Sequence, residues 1–170
     1  RFAGDSGDGM QLTGTQFTQS SALMGNDLAT FPDFPAEIRA PAGTTFGVSA
    51  YQINFGARRV MTAGDAPDVL VAMNPAALMV NIDELKPGGT VLVDTGSFTD
   101  RNLTKAGYDT NPLKDDTLSP FQVIELNMSK MTLEAVKEFG LSKKDALRSK
   151  NMWTLGLMMW MYGRVRKPVI

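Results

Sequence analysis

The chain opens with Arg1-Phe2-Ala3-Gly4-Asp5-Ser6-Gly7-Asp8-Gly9-Met10-Gln11-Leu12-Thr13-Gly14. Glycine tolerates positive φ and lets another surface approach the backbone closely, as in the βα turn of a ligand or partner site. The stretch therefore predicts the end of a strand, a glycine-rich turn and the start of a helix. Short apolar runs alternate with helical patterns in the remainder, so we predict that this turn is the first crossover of a parallel α/β sheet.

The glycine spacing matches the dinucleotide-binding fingerprint G-x-G-x-x-G only in part. Gly7 and Gly9 fit, but Leu12 stands where the third glycine belongs. Asp5 and Asp8 lie in the same turn, and like charges a few Å apart repel by roughly 1 to 4 kcal/mol. A diphosphate on this turn is therefore disfavoured, and contacts to hydroxyl or amide groups are favoured. Simple capping of the following helix is the open alternative.

Length and composition are those of one ordinary globular domain. The 170 residues are 43% apolar and 21% charged, with 17 basic and 18 acidic residues and a formal net charge of −1. Because the sequence has no basic stripe, we expect no nucleic-acid partner. The apolar run at 152–162 is shorter than the about twenty residues that span a bilayer, so we expect no membrane partner.

Cysteine and histidine are both absent from the sequence. Their absence excludes disulfides, thiolate metal ligands, Fe–S ligation and imidazole-based acids or bases from this chain. We therefore expect no catalytic and no metal-ligating residue here, and any redox or acyl chemistry must be supplied by another chain or segment. With no signal-peptide pattern and no cysteine, the expected location is cytoplasmic.

A second informative stretch is the proline-rich run FPDFPAEIRAPAGT at 31–44. Its three prolines and one glycine exclude a regular helix or a central strand, so we predict an ordered surface loop. The loop carries the pair Glu37 and Arg39. Interface or ligand contact is one interpretation of this pair, and an ion pair that only pins the loop is the other, since exposed ion pairs contribute about 0 to 1 kcal/mol.

Apolar periodicity predicts the elements of the sheet. Predicted strands lie at 28–31, 45–55, 60–62, 68–73, 90–94 and 121–126. Predicted helices lie at 10–24, 75–85, 100–105, 132–139 and 142–162. Leu12, Phe17 and Leu23 are expected to face inward, and a change of phase near Ala50 suggests a β-bulge. The strands 45–55 and 60–62 are expected to form an antiparallel hairpin.

These elements predict an α/β fold: a Rossmann-like open, mostly parallel sheet with helices on both faces and an added antiparallel hairpin. The segment Asp94-Thr95-Gly96-Ser97 follows a buried strand, at the edge where such sheets hold ligands, and is a further site candidate beside an ordinary turn. Only three residues precede the first turn, fewer than the about five or six of a central strand, so we expect a fragment. We assign 1–163 to one domain and 164–170 to the start of a linker.

Three stretches resemble the gamma-type domain of 2-oxoacid:ferredoxin oxidoreductases. They are Phe2–Met10, Phe34–Thr44 with Gly47–Ser49, and Ser149–Met152 with Leu155–Gly156. The likeness spans nearly the whole chain, and the loop around Glu37 and Arg39 is its most specific part. Asp-Ser-Gly-Asp-Gly in the first turn, in place of the Gly-Gly-Gln-Gly of free-standing gamma subunits, resembles the form fused ahead of the alpha subunit, commonest in 2-oxoglutarate enzymes.

The resemblance implies one domain of an enzyme that oxidatively decarboxylates a 2-oxoacid on thiamine diphosphate and passes the acyl group to coenzyme A. Thiamine diphosphate, Mg²⁺ and the Fe–S cluster are then expected on partner domains or subunits, and the isolated fragment is expected to be inactive. The implied partners are the continuation of the alpha chain, the beta subunit and, through the complex, ferredoxin, with a homo-oligomer left open. The pocket that selects the substrate is expected elsewhere, so 2-oxoglutarate, pyruvate and branched-chain 2-oxoacids all stay open.

Candidate contacts on the coenzyme A side come from the two motifs of the resemblance. They are Gly4, Asp5, Ser6, Gly7, Asp8, Gly9, Glu37 and Arg39. The segment Gly7-Asp8-Gly9 also resembles the start of a thiamine diphosphate–Mg²⁺ motif, but that motif needs a later asparagine, and Pro32–Glu37 has none. The alternatives are an autonomous Rossmann-type dehydrogenase that binds a nicotinamide cofactor and a purely structural assembly module.

Overall fold

The structure, a computed structural model, describes residues 1–37 and 39–166. The strands are β1 (Phe2–Asp5), β2 (Asp27–Asp33), β3 (Val48–Gly56), β4 (Val69–Ala72), β5 (Thr90–Asp94) and β6 (Gln122–Leu126). The α-helices are α1 (Met10–Leu23), α2 (Pro75–Asn81), α3 (Asp100–Ala106), α4 (Met128–Ala135), α5 (Lys143–Leu147) and α6 (Lys150–Met161). Single 3₁₀ turns lie at Thr45–Gly47, Ile82–Glu84, Thr95–Ser97, Asp116–Leu118 and Lys137–Phe139.

The strands form one sheet in the order β2-β3-β1-β4-β5-β6. β1, β4, β5 and β6 pair in parallel, whereas β3 runs antiparallel to both of its neighbours, β2 and β1. The predicted fold class, an open and mostly parallel α/β sheet with an antiparallel addition, is confirmed. The antiparallel pair is β2 with β3, however, and the predicted partner strand at 60–62 is not a strand in the described chain.

β3 lies inside the sheet, and this position explains its apolar pattern. Its pairing runs without a skipped residue from Asp27↔Gly56 to Asp33↔Ala50, and equally along β1, so the predicted β-bulge near Ala50 is wrong. The inward set changes phase because β3 is covered on both faces: Val48 and Ala50 join one core, and Phe55 packs against the other. Central strands buried on both faces lose strict alternation.

Pro32 does not end β2, which continues to Asp33. β2 is the edge strand beside β3, and an edge strand tolerates proline because one of its sides makes no ladder hydrogen bonds. The predicted strand 28–31 therefore ends two residues before the observed strand.

Alternate residues of the central strands supply two hydrophobic cores, one on each face of the sheet. One core combines Ala3, Leu70, Ala72, Val91 and Val93 with Ala76, Ala77 and Leu78 of α2 and Leu103 and Ala106 of α3. The other combines Phe2, Val71, Met73 and Leu92 with Met10, Phe17, Met128, Leu155 and Met158 of α1, α4 and α6. Helices on both faces were predicted, and this prediction is confirmed.

The predicted last helix, 142–162, is two helices. Ser142 caps α5 as predicted, since its Oγ accepts a hydrogen bond from the Asp145 N–H at 3.2 Å, but α5 ends at Leu147 and α6 begins at Lys150. The break lets α5 pack against α4 while α6 packs between α1 and α4. It also brings the start of α6 to the carboxyl edge of the sheet.

α2 and α4 differ from prediction at an end, and α1 differs in the residues that face inward. α2 ends at Asn81, before the 3₁₀ turn Ile82–Glu84, and not near Leu85 as predicted. α4 begins at Met128, earlier than predicted, because the Asn127 side chain accepts a hydrogen bond from the Lys130 N–H at 2.9 Å. In α1, Phe17 faces inward as predicted, but Leu12 and Leu23 are 51% and 70% exposed. Of the predicted linker, the structure describes 164–166; residues 167–170 lie outside the described residues.

Candidate functional site

A polar cavity of about 330 Å³ lies at the carboxyl edge of the parallel strands. The first turn, the loop before β3 and the starts of α2, α3 and α6 surround it, and its charged lining residues are Asp5, Asp8, Arg101, Lys105 and Lys150. Open α/β sheets hold their ligands at this edge, outside the ends of the strands. The cavity is therefore the candidate functional site.

The first turn, residues 5–9, is closed by its own hydrogen bonds. The Asp8 N–H donates to the Asp5 carbonyl oxygen at 2.8 Å, and the Asp5 N–H donates to Asp8 Oδ2 at 3.1 Å. α1 is preceded by Gly9 in the left-handed region, at φ 75°, with no side-chain cap. The open alternative that a polar side chain of this turn caps α1 is therefore wrong, and the Asp8 carboxylate closes the turn instead.

Gly9 is required by its surroundings as well as by its backbone. A Cβ at this position would lie 2.4 Å from the Asn151 Nδ2 atom of α6. Positive φ and this close approach both favour glycine. The first turn and the first residues of α6 are thus in direct contact.

The first turn is also tied to the proline-rich loop. Asp5 Oδ2 accepts a hydrogen bond from the Gly43 N–H at 2.9 Å, and the Ser6 N–H donates to the Gly47 carbonyl at 3.0 Å. The second carboxylate oxygen, Asp5 Oδ1, is buried and has no hydrogen-bond partner among the described residues. An acceptor in that condition favours an N–H or O–H donor at this point.

Lys150, at the start of α6, reaches across the edge of the sheet. Its Nζ donates to Asp94 Oδ2 at 3.0 Å, to Ser97 Oγ at 3.3 Å and to the Met73 carbonyl at 3.5 Å. The Asp94 side chain is fully buried, and that of Lys150 is 15% exposed. The ion pair therefore joins the ends of β4 and β5 to α6 in a largely dry environment.

Asp94 is held in its ionised form by a set of donors. Oδ1 accepts from the backbone N–H groups of Gly96 and Ser129, and Oδ2 accepts from the hydroxyls of Ser97 and Ser129. Burial alone would raise the pKa of Asp94, but the charge of Lys150 and the hydrogen bonds from Ser129, Lys150 and Ser97 hold it below its ordinary value.

Asp8 shows the opposite shift. Burial raises the pKa of Asp8 above its ordinary value, the nearby charges of Asp5 and Asp94 raise it further, and Lys150 and the Asp5 N–H oppose them. Two carboxylates near one lysine thus have pKa values displaced in opposite directions. Such displaced pKa values concentrate at functional sites.

The site residues predicted from the first turn lie in different surroundings. Asp5 and Asp8 line the cavity, and Gly4 is buried beside it, since a Cβ on Gly4 would lie 3.0 Å from Asp8 Oδ2. Ser6 and Gly7 are exposed and do not line it. The predicted turn therefore contributes two carboxylates and close backbone packing.

Glu37 and Arg39 are not brought to the cavity. Both side chains are exposed, and Ile38 between them lies outside the described residues. Backbone hydrogen bonds fix this part of the loop, with the Glu37 N–H donating to the Phe46 carbonyl at 3.1 Å. No ion pair of either side chain occurs among the described residues, so the loop-pinning interpretation finds no support there.

Three cationic lining residues were missed as candidates. Lys150 lies in a stretch that carried the family resemblance, but a continuous helix 142–162 gave no reason to place it at the sheet edge. Arg101 and Lys105 lie one helical turn apart on α3. Both could have been predicted from the sequence, because α3 follows Asp94–Ser97 at the predicted ligand edge and residues i and i+4 lie on one face of a helix.

The site residues do not fit a thiamine diphosphate–Mg²⁺ group. In the described ranges, 1–37 and 39–166, no three acidic side chains are grouped to hold a metal ion. One carboxylate oxygen of Asp8 already accepts a hydrogen bond from the Asp5 N–H.

No helix in the described part of the chain is long and apolar enough to cross a membrane.

Sequence comparisons place this chain among known proteins. The family model described as pyruvate ferredoxin/flavodoxin oxidoreductase matches residues 1–168. The 2-oxoglutarate oxidoreductase subunit KorA of Mycobacterium tuberculosis is 62% identical over 164 residues, which cover 96% of this chain and 25% of that protein. The chain thus spans about a quarter of the length of this curated relative.

Solved structures show the same fold. A 2-oxoglutarate:ferredoxin oxidoreductase from Magnetococcus marinus, with 2-oxoglutarate, coenzyme A and succinyl-CoA bound, superimposes with a TM-score of 0.68 at 28% identity, over 93% of this chain and 23% of that one. The gamma subunit of a keto/oxoacid ferredoxin oxidoreductase from Geobacter sulfurreducens gives a TM-score of 0.62 at 20% identity, over 98% of this chain and 79% of that one. The second likeness concerns the fold alone.

Proposed function

The chain belongs to the pyruvate ferredoxin/flavodoxin oxidoreductase family, and from this membership we propose that it is the gamma-type domain of a 2-oxoglutarate:ferredoxin oxidoreductase. The resemblance found in the sequence is confirmed at the level of the family. The proposed activity of the complete enzyme is thiamine-dependent oxidative decarboxylation of the 2-oxoacid to acyl-CoA. The names of the KorA relative and of the Magnetococcus marinus protein support 2-oxoglutarate as the substrate.

Within that enzyme, the proposed role of this domain is binding on the coenzyme A side and assembly, without catalysis of its own. The observation that carries the proposal is the mixed-charge cavity at the carboxyl edge, where Asp5, Asp8 and Lys150 meet. The absence of cysteine and histidine from the sequence supports the division of labour. Thiamine diphosphate, Mg²⁺ and the Fe–S cluster are assigned to other domains or subunits.

The proposed partners are the continuation of the alpha chain, the beta subunit and, through the complex, ferredoxin, with the cytoplasm as the location. The end of α6 supports an assembly role, because Trp160 is 79% exposed, and Met161 and Tyr162 are 40% and 36% exposed. Contiguous exposed apolar side chains mark protein interfaces.

The test uses the complete oxidoreductase with Asp8→Ala and, separately, Arg39→Ala. We expect Asp8→Ala to raise the Michaelis constant for coenzyme A while the subunits stay associated in size-exclusion chromatography. Arg58→Ala, in an exposed turn away from the cavity, is the matched control for Arg39→Ala. If both substitutions alter association and leave the Michaelis constant unchanged, the domain is a purely structural assembly module.

The autonomous dehydrogenase is the remaining alternative, and it predicts a different measurement. An isolated Rossmann-type dehydrogenase binds its nicotinamide cofactor without partner subunits. We expect isothermal titration calorimetry of the isolated chain with NAD⁺ and NADP⁺ to show no binding, since two carboxylates stand in the turn that would hold the diphosphate. Micromolar affinity for either cofactor overturns the proposed function.

A further inference from the structure

The last turns of α1 and α6 lie at the amino edge of the sheet and expose apolar side chains. Leu23 is 70% exposed and Trp160 is 79% exposed, and Met24, Met161 and Val165 are exposed as well. These five residues are referred to as the terminal patch. A helix that is apolar on all faces is normally buried, and residues 152–161 of α6 are apolar on nearly every face. The described residues therefore leave the terminal patch without the cover that its composition calls for.

The chain turns back after α6 and is fastened to α1. Gly163 ends the helix with a positive φ of 60°. The two residues that follow are held by hydrogen bonds. The Arg164 N–H donates to the Met159 carbonyl at 2.7 Å, and the Val165 carbonyl accepts from Ser20 Oγ at 2.7 Å. Residues 164 and 165 therefore lie against the last turns of α1, beside the terminal patch.

The Arg164 side chain strengthens this attachment. Its guanidinium lies 4.6 Å from the Phe55 ring centroid and 5.9 Å from that of Phe17. The same group donates to Asn26 Oδ1 and lies 3.8 Å from Met24 Sδ. Arg164 thus joins the end of α6 to the aromatic groove, to the turn after α1 and to one residue of the terminal patch.

We propose that the terminal patch is the docking surface for the continuation of the alpha chain beyond residue 170, and that Arg164 holds the chain in place beside it. The inference rests on the proposed function, in which that continuation is a partner, and adds the surface that the continuation covers.

Tethering and composition both support this occupant. The KorA relative has most of its length outside the region that matches this chain. A segment tethered beside the terminal patch meets it at an effective concentration of about millimolar, which favours the segment over a separate protein. Tryptophan is enriched among the residues that dominate binding at interfaces, and methionine adapts its shape to a partner.

The test places a photoreactive side chain in the terminal patch of the complete oxidoreductase. Trp160→p-benzoyl-phenylalanine keeps an exposed aromatic group, irradiation links it to the segment that covers it, and peptide mass spectrometry identifies that segment. We expect a link within the same alpha chain, to a residue beyond 170, with the subunit mass unchanged on a denaturing gel. Phe46→p-benzoyl-phenylalanine, at an exposed ring in the loop before β3, is the matched control and should not link to that segment.

Other occupants give different products. A link between two alpha chains doubles the mass of the linked species and indicates a second copy, whereas a link to the beta subunit gives the summed mass. Either product overturns the inference, and so does an enzyme in which position 160 forms no link. None of these products contradicts the proposed function. That function fails instead if the complete enzyme does not oxidise 2-oxoglutarate in a coenzyme A-dependent reaction.

The contribution of Arg164 is measured separately, by limited proteolysis of the complete enzyme with subtilisin, whose cleavage does not require arginine. We expect Arg164→Met to raise the rate of cleavage in the segment after residue 166 about 5-fold, because losing the cation–π contact increases the fraction of open segment. Arg166→Met, at an exposed position, is the matched control. Arg164→Lys keeps a cation and should return the rate close to that of the control. Equal rates for Arg164→Met and Arg166→Met overturn the role of Arg164.

Discussion

The two ends of the sheet both hold cavities, and the cavities are built from different chemistry. At the amino edge, a groove of about 620 Å³ is lined by Phe2, Phe17, Phe55 and Tyr162. These rings contact one another at centroid distances of 5.3 to 5.9 Å, and the Arg164 guanidinium lies 4.6 Å from the Phe55 centroid. The smaller carboxyl-edge cavity has no aromatic residue in its described lining, and its charged residues are Asp5, Asp8, Arg101, Lys105 and Lys150.

Cavity size alone therefore does not identify the candidate site. The amino-edge groove combines these aromatic rings with a few charged side chains, among them Arg1, Asp68 and Lys86. At the carboxyl edge, Asp8 and Asp94 are shifted in opposite directions near one lysine. Convergent polar groups with perturbed pKa values are the stronger criterion for function, and substitutions at the two edges should therefore have different consequences.

The largest effect is expected at the carboxyl edge, from Lys150→Met. The substitution leaves the fully buried carboxylate of Asp94 without its cation, so we expect the free energy of unfolding to fall by about 3 kcal/mol in urea denaturation. Lys144→Met, on an exposed position of α5, is the matched control. Adding Asp94→Asn should restore part of the loss; no restoration would show that an uncompensated charge is not the cause.

A smaller loss is expected from the first turn, from Gly9→Ala. Positive φ costs a residue with a Cβ about 1 to 2 kcal/mol, and here the Cβ also meets the Asn151 side chain. Gly7→Ala is the matched control, because a Cβ there has open space and its φ is not in the left-handed region. Equal unfolding midpoints for the two variants would contradict the close approach of α6.

At the amino edge, Arg164→Met is expected to cost about 1 kcal/mol. The guanidinium over the Phe55 ring makes a cation–π contact that methionine cannot replace. Arg166→Met, two residues later and exposed, is the control. Unlike the carboxyl-edge variants, Arg164→Met should leave the Michaelis constant for coenzyme A in the complete enzyme unchanged, and a large increase would show that the two edges are coupled.

The smallest effect concerns pH and sharpens the contrast between the two carboxylates. The pKa of Asp94 lies below its ordinary value of 3.8, so Asp94 stabilises the fold above that value, and this contribution is lost as the pH falls through the lowered pKa. The pKa of Asp8 is raised, so the folded state binds that proton more tightly than the unfolded chain. Lowering the pH from neutrality towards about 4 therefore strengthens the contribution of Asp8 to stability.

Asp8→Asn isolates the pH-dependent contribution of Asp8 to stability, because asparagine keeps an acceptor for the Asp5 N–H but carries no charge. We expect the variant to be slightly more stable than the unsubstituted chain near pH 7 and equal to it near pH 4, in urea denaturation at both values. Asp109→Asn, at an exposed position, serves as the control. A variant no more stable than the unsubstituted chain near pH 7 would contradict the raised pKa.

Local patterns were sufficient to predict much of the sheet. β5 begins and ends at the predicted residues, and the Asn74 side chain caps α2 as the Asn74-Pro75 sequence indicates, accepting from the Ala77 N–H at 2.8 Å. Asp94–Ser97 also lies at the predicted ligand edge. These features depend on residues close together in sequence, where propensity and capping decide the structure.

The strand order and the lining of the cavity depend on contacts between residues far apart in the sequence, which cannot be inferred from one sequence alone. The insertion of β3 between β2 and β1 replaces the simple hairpin with 60–62, and its burial on both faces gave a false signal for a bulge at Ala50. The cations Arg101 and Lys150 reach the cavity only through the packing of α3 and α6. Glu37 and Arg39, the most specific part of the family motif, lie outside the cavity.

The contact between Gly9 and Asn151 joins two residues that are far apart in the sequence. The first turn is translated before the helix that supports it, so the contact closes a long loop, at an entropic cost that grows slowly with loop length. A nascent chain that ends before Lys150 lacks the cation that pairs with the buried Asp94. The carboxyl edge is therefore complete only after α6 has been translated.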